Sequence, residues 1–285
     1  MITTKAHAHV IRGSNRTAIE LHSPVQGKLK GYVDANRKTK PLMVVAPGTF
    51  RGHKLALCGA GPSLVDNLPA ADDAIFACNS ALPYLWDRGV KVTAGVGIDQ
   101  TPMLEVEWQR PPPVAYYCAT SCDPSLIRHL QQHDRPVIFF HNAVGFEDEF
   151  EHYCRTWPPM FMVGQGATVV SRFIGVAEWM GFEHIDIYGA DCAFAEGDIT
   201  HANGRAATSA YVNPVYMVGD IDGREWRTRP DMLMAAVELV RRARESEGRI
   251  RLIGDTLPNA LMDKDDEFLD LVCRRLAPGE QYLTA

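Results

Sequence analysis

The sequence predicts an α/β domain built on a doubly wound, mainly parallel sheet, preceded by a basic extension. Three observations predict it. From Lys54 onward, short apolar runs alternate with stretches of helical period. The first of these runs, Lys54-Leu55-Ala56-Leu57-Cys58, stops in Gly59-Ala60-Gly61-Pro62-Ser63, and Leu64-Val65 restart as a short helix. The charge also divides: residues 1–53 hold nine Lys/Arg against Glu20 and Asp34, a net of +7, while the remainder is acidic enough to bring the chain to −6.

Taken in order, residues 1–50 show no strong period and read as an extension or small cap, with one short strand at 42–46. Strands follow at 54–58, 74–78, 92–98, 114–119, 136–141, 184–189 and 249–253, each an apolar run bounded by Gly, Pro, Asp or Asn. Helices lie near 64–68, 80–88, 124–133, 167–180 and 231–246. The fourth carries Val170, Phe173, Ile174, Ala177 and Met180 at offsets of three and four. The last sets Leu233, Val237 and Val240 on one face and Arg241, Arg242 and Arg244 on another. Arg110-Pro111-Pro112-Pro113 is a stiff connector. The acidic, aromatic stretch 146–159 reads as a helical lid or insertion. The stretch 192–229 reads as a long loop of the kind that carries function, and 254–260 as a turn. A length of 285 residues suits one such domain, assigned here to 51–262, with 1–50 as the basic extension and 263–285 as a tail or helix.

No apolar run is long enough to span a bilayer, and Met1 is followed by polar residues rather than a signal peptide, so a soluble, cytoplasmic protein is expected. Seven cysteines (58, 78, 118, 122, 154, 192, 273) at scattered spacings read as buried reduced thiols. The basic arm either packs on an acidic surface of its own or a neighbouring subunit, compatible with a homo-oligomer, or touches nucleic acid or another polyanion.

In a sheet of this kind ligands bind beyond the carboxyl ends of the strands, and the candidate residues all fall there. Gly59, Ala60, Gly61, Pro62 and Ser63 form a strand-to-helix turn whose main-chain amides suit a phosphate; the plainer reading is a tight turn. On the first view Gly61→Val fills the space a phosphate needs. Asn79 and Ser80 follow the second strand, where Asn79 reads a base or ribose and either residue caps the next helix. Asp99 is a carboxylate for metal or ribose, or a turn aspartate. Gly164, Gly166, Ala167 and Thr168 open a helix and offer a second anion site. Asp191 ends a strand and suits orienting a base or holding metal. His201, in the following loop, suits a general base or charge stabiliser.

Four segments in the same order, Gly59 to Ser63, Ile75-Phe76-Ala77-Cys78-Asn79-Ser80 with Gly97-Ile98-Asp99, Gly166-Ala167-Thr168-Val169-Val170, and Tyr188-Gly189-Ala190-Asp191 with Thr200-His201-Ala202, resemble the MptE-like family. That family contains archaeal 6-hydroxymethylpterin diphosphokinases and the Maf motility accessory factors linked to flagellin glycosylation. The Gly-x-Gly-Pro-Ser turn and Cys78-Asn79 are also similar to bacterial CMP-sialic-acid sialyltransferases, in which the matching Asn faces the CMP moiety. The resemblance covers roughly residues 54 to 262 and implies a Rossmann-like fold. For Asp99 it implies magnesium and nucleotide, although Ile98-Asp99-Gln100 is sparser than the acidic cluster of the diphosphokinases. For Asp191 and His201 it points to the Maf branch.

The expected function is therefore nucleotide-dependent transfer, first of a sugar from a CMP-sugar or other NDP-sugar to an unidentified acceptor. The alternative is magnesium-dependent diphosphate transfer from ATP to a hydroxymethyl acceptor such as a pterin. A non-catalytic nucleotide- or nucleic-acid-binding module using the basic arm is the third reading.

Overall fold

The computed structural model describes every residue except 1–7, 14–15, 22–25, 71–73, 165, 206–215, 222–223 and 275–285. In chain order the elements are β1 (Ala8–Gly13), β2 (Arg16–Leu21), α1 (Leu29–Asn36), β3 (Met43–Val44), β4 (Lys54–Cys58), β5 (Ala74–Cys78), α2 (Ala81–Trp86), β6 (Ala94–Gly97), α3 (Met103–Glu107), β7 (Ala115–Ala119) and α4 (Pro124–Gln132). There follow β8 (Val137–Asn142), α5 (Glu149–Thr156), β9 (Met162–Val163), α6 (Val169–Trp179), β10 (His184–Tyr188), β11 (Tyr216–Ile221), β12 (Arg224–Thr228), α7 (Pro230–Glu245), β13 (Ile250–Leu252), α8 (Leu257–Ala260) and α9 (Asp266–Arg274).

Nine strands form one sheet in the order β13-β10-β4-β5-β6-β7-β8-β3, with β9 beside the end of β8. Every pairing in it is parallel. β3 pairs with Ile138 and Phe139 of β8, and β9 with His141 and Asn142 further along the same edge. Strands covered on both faces need apolar side chains at nearly every position, which is why their sequences read as continuous apolar runs. Leu55 to Cys58 and Ile75 to Cys78 are buried throughout. Phe76, Tyr117, Phe173 and Phe140 interlock with ring centroids 5.1–6.0 Å apart, clamping α6 to the sheet. The expected buried face of α6, Val170, Phe173, Ile174, Ala177 and Met180, is the observed one.

The chain lays β4 to β8 down in succession and then returns to add β10 on the other side of β4. That reversal is a topological switch point, and it opens a crevice beyond the ends of β4 and β10.

The fold departs from expectation in several places. Residues 29–50 belong to the body. α1 buries Leu29 and Val33, Asn36 Nδ2 donates to the Thr120 (3.0 Å) and Cys122 (2.8 Å) carbonyls, and β3 joins the sheet. A His152–Asp34 contact at 2.8 Å ties α1 to α5. The helix expected at 64–68 is a 3-10 turn, Pro62–Val65. The stretch 192–229 is no plain loop, because β11 and β12 form a hairpin whose Ile221 and Trp226 pack with Leu233, Val237, Leu257 and Leu269. That cluster crosses the boundary drawn at 262. Four cysteines are buried as expected, whereas Cys154 is exposed on α5; the Cys273 side chain lies outside what is described. Among the described residues no helix is long and apolar enough to cross a membrane.

Candidate functional site

A cleft of about 550 Å³ lies at the switch point. It gathers Gly59, Ala60, Gly61, Asn79, Ser80, Asp99, Ala167, Thr168, Asp191 and His201, so most of the residues expected from sequence meet in one place. Pro62, Ser63, Gly164 and Gly166 stand outside its lining.

The first turn is built differently from the expectation. Gly59 N–H donates to the Tyr188 carbonyl (2.8 Å) and Gly61 N–H to the Gly189 carbonyl (2.8 Å), which extends the β4–β10 ladder past both strands. Ser63 N–H donates to Asp191 Oδ1 (2.9 Å), and its hydroxyl donates to Asp191 Oδ2 (2.9 Å). Leu64 N–H returns to the Gly61 carbonyl. The Gly59, Gly61 and Ser63 amides expected to hold a phosphate are thus spent on the protein itself, and only Ala60 N–H is without a partner among the described residues. The glycines answer to packing: a Cβ on Gly61 would lie 2.0 Å from Asp191 Oδ2, and one on Gly59 2.5 Å from the Gly189 carbonyl oxygen. Gly61→Val therefore strikes Asp191 rather than ligand space. Asp191 is the acceptor that closes the turn. Burial pushes its carboxyl up from 3.8 to about 6 against the lowering effect of the two Ser63 bonds.

The second helix opening also spends two of the expected donors on the protein, Ala167 N–H on Glu238 Oε2 (3.4 Å) and Thr168 N–H on Ser171 Oγ (3.2 Å). Thr168 caps α6 by accepting from Ser171 N–H (3.2 Å), and Val169 and Val170, its first two helical residues, line the cleft. Gly166 serves this end indirectly, because its carbonyl accepts from Arg172 Nε (2.6 Å) and a Cβ there would lie 2.7 Å from Arg172 Cγ. A Cβ on Gly164 would meet nothing within 4 Å. Arg172 was not anticipated, nor was its partner Asn142, whose Oδ1 accepts from Arg172 Nη1 at 2.7 Å. Both line the cleft. Burial holds the guanidinium below its ordinary value, with Glu238 and Glu149 opposing.

Asn79 has left-handed backbone (φ 48°). Its carbonyl accepts from Trp108 Nε1 (2.9 Å), and its buried side-chain Oδ1 has no partner among the described residues, nor has Ser80 Oγ. Neither side chain caps α2. Asp99 Oδ1 accepts from the Thr101 N–H (2.9 Å) and hydroxyl (2.7 Å), a turn aspartate that still faces the cleft.

His201 shares a 2.7 Å hydrogen bond between Nδ1 and Thr200 Oγ1. When the Thr200 hydroxyl donates to the Arg205 carbonyl (3.2 Å), Nδ1–H donates to Thr200 and Nε2 keeps its lone pair; when it donates to Nδ1, the proton sits on Nε2. Burial lowers the imidazole from 6.5, and the Arg205 and Arg229 charges lower it further. Ala202 N–H donates to the Ala60 carbonyl (2.8 Å), fastening this loop to the first turn. Arg229, also at the cleft, is paired with Asp231 at 2.8 and 3.1 Å.

The family model of the MptE-like proteins, described as 6-hydroxymethylpterin diphosphokinase MptE-like, matches residues 32–197. The chain belongs to the MptE-like family. The matched span begins inside α1 and holds every cleft residue described above except those from Thr200 onward. The fold of this MptE-like chain is also that of a MAf glycosyltransferase from Magnetospirillum magneticum AMB-1, with a TM-score of 0.57 at 13% identity over 88% of this chain. The chain spans 42% of that protein's length. No match was found among curated proteins.

The MptE-like cleft is thus lined by the His201 imidazole, the polar side chains of Asn79 and Ser80 and the Arg172 guanidinium. No cluster of three His, Cys, Asp or Glu able to hold a metal occurs among the described residues. Asp191 has both oxygens tied to Ser63, so it does not suit the metal role expected of it. Asp99 keeps Oδ2 without a partner among the described residues, which suits a magnesium held mainly by substrate phosphates.

Proposed function

We propose that the chain is a nucleotide-dependent transferase, moving a sugar from a nucleotide-activated donor to a hydroxyl acceptor. Membership of the MptE-like family supports a transferase at the coarse level. The observation that carries the finer reading is the shared cleft. Asn79 Oδ1, a buried acceptor without a partner among the described residues, and His201, a half-buried imidazole whose pKa is lowered, line the same switch-point crevice. Asn79 and Ser80 read the nucleoside by hydrogen bonds. His201 Nε2 takes the proton of the acceptor hydroxyl as its oxygen attacks the donor carbon, and the nucleotide leaves with the bonding electron pair on its phosphate oxygen. Asp191 positions the first turn rather than exchanging a proton. If magnesium takes part, Asp99 holds it with the phosphates, and it neutralises the leaving charge.

The second reading, diphosphate transfer from ATP to a hydroxymethyl acceptor, is favoured by the description of the matching family. A thermal-shift panel of CMP, CDP, UDP, GDP, AMP and ATP, with and without magnesium, separates the two, since bound ligand raises stability by mass action. CMP stabilisation without metal supports sugar transfer; ATP or AMP with magnesium supports diphosphate transfer. A panel in which no nucleotide raises Tm refutes both. In a non-catalytic binding module His201→Ala leaves the full activity in place.

A further inference from the structure

Arg172 brings into the cleft a positive charge that no direct ion pair neutralises among the described residues. Its guanidinium is held by neutral oxygens, Gly166 O (2.6 Å) and Asn142 Oδ1 (2.7 Å). The two carboxylates that act on it make other hydrogen bonds: Glu149 accepts from Val144 N–H (2.9 Å) and Gly145 N–H (2.8 Å), and Glu238 from Ala167 N–H (3.4 Å) at the opening of α6.

Asn142 is 0% exposed. Because Arg172 can only donate, it fixes the oxygen of the Asn142 amide toward itself and leaves Nδ2 as the other arm. That Nδ2 is buried with no acceptor among the described residues, although the residue lines the cleft. A buried donor left unpaired is destabilising, so a ligand acceptor there is favoured. The third contributor is α6, an eleven-residue helix starting at the same wall. The N–H groups of Val169 and Val170 have no intrahelical acceptor and none among the described residues, and the positive end of the helix dipole adds to the Arg172 charge. Donors from three sources therefore line one cleft.

We propose that Arg172, Asn142 and the first turn of α6 form a phosphoryl-binding subsite, and that the phosphates of the ligand lie here rather than on the Gly59–Ser63 turn. The number of donors suits a phosphoryl group, with its three terminal oxygens, better than a carboxylate with two. The subsite rests on the transferase reading only in attributing that group to a nucleotide.

The test is calorimetric titration of the full chain with inorganic diphosphate and, separately, with the nucleosides cytidine and adenosine. Asn142→Asp keeps the side-chain shape, pairs with Arg172 and turns a negative charge toward the ligand. It is expected to weaken diphosphate binding roughly tenfold or more, with Tm near the parent value. Arg172→Lys, which keeps the charge but loses the fork, is expected to weaken it as well. Ser63→Ala, at the first turn, is expected to change it less than about twofold. Failure of the parent chain to bind diphosphate at millimolar concentration overturns the proposal, as does equal binding by Asn142→Asp. Diphosphate binding that Asn142→Asp weakens, in a chain that takes up neither nucleoside, upholds the subsite and counts against the nucleotide reading alone.

Discussion

Replacing Asp191 by Asn separates what its carboxylate does for the fold from what its charge does for chemistry. In the folded chain burial raises its pKa from 3.8 to about 6. The native state therefore binds this proton more tightly than the unfolded chain. Stability from this group is complete below pH 4, declines as pH rises through 4 to 6, and is flat above. At 1.36 kcal/mol per unit, the shift amounts to about 3 kcal/mol of destabilisation at pH 7, an upper figure because the site touches the cleft. An Asn at 191 accepts from Ser63 N–H through Oδ1 and donates to Ser63 Oγ through Nδ2, so both contacts of 2.9 Å survive. Asp191→Asn should then be more stable than the parent by about 1–3 kcal/mol at pH 7, with the gap closing toward pH 4. Urea unfolding at a series of pH values, followed by tryptophan fluorescence, measures it. A variant less stable than the parent at pH 7, or a gap independent of pH, refutes the reasoning. Activity of the same folded variant then reports on the carboxylate's chemical part.

Gly61→Ala should cost about 2–4 kcal/mol, because its Cβ falls 2.0 Å from Asp191 Oδ2 and 2.7 Å from the Gly189 carbonyl; an unchanged denaturation midpoint would falsify this. His201→Ala should lower kcat by roughly 10²–10⁴ while ligand-induced stabilisation persists. Because its imidazole sits below 6.5, the parent rate should stay level from neutral pH upward and fall only on the acid side, as a pH–rate profile will show. Asn36→Ala strips a buried donor from the Thr120 and Cys122 carbonyls and should cost about 2 kcal/mol in chemical unfolding. Removing residues 1–25 tests polyanion binding by the basic arm, with a flattened salt dependence if the arm makes contact; removal through residue 40 deletes α1 and should unfold the chain.

The parallel sheet was legible along the chain because doubly covered strands must be apolar at consecutive positions. The expected runs 54–58 and 74–78 coincide with β4 and β5 end for end. Long amphipathic helices were legible for the same local reason, and α6 and α7 lie within a residue or two of their expected bounds. α1 escaped because eight residues give too few turns for a period to show, and its burial comes from partners more than 80 positions away. The β11–β12 hairpin escaped because its alternation is short and its charged positions point outward around Trp226.

The site divides along the same line. Sequence alone determined which strand ends carry Gly59, Asn79, Asp99 and Asp191, since order along the chain places each after an apolar run, and it put His201 in the loop beyond the last of them. Only the tertiary structure decided which donors there remain free. A glycine turn reads alike whether its amides meet a phosphate or a neighbouring strand, and the acceptor that occupies Ser63 is 128 residues away. Arg172 looks like any polar position on a helix until the fold brings Gly166 and Asn142 to its guanidinium. Hydrogen-bond partnership is a property of distance in space, and short-range pattern carries no record of it.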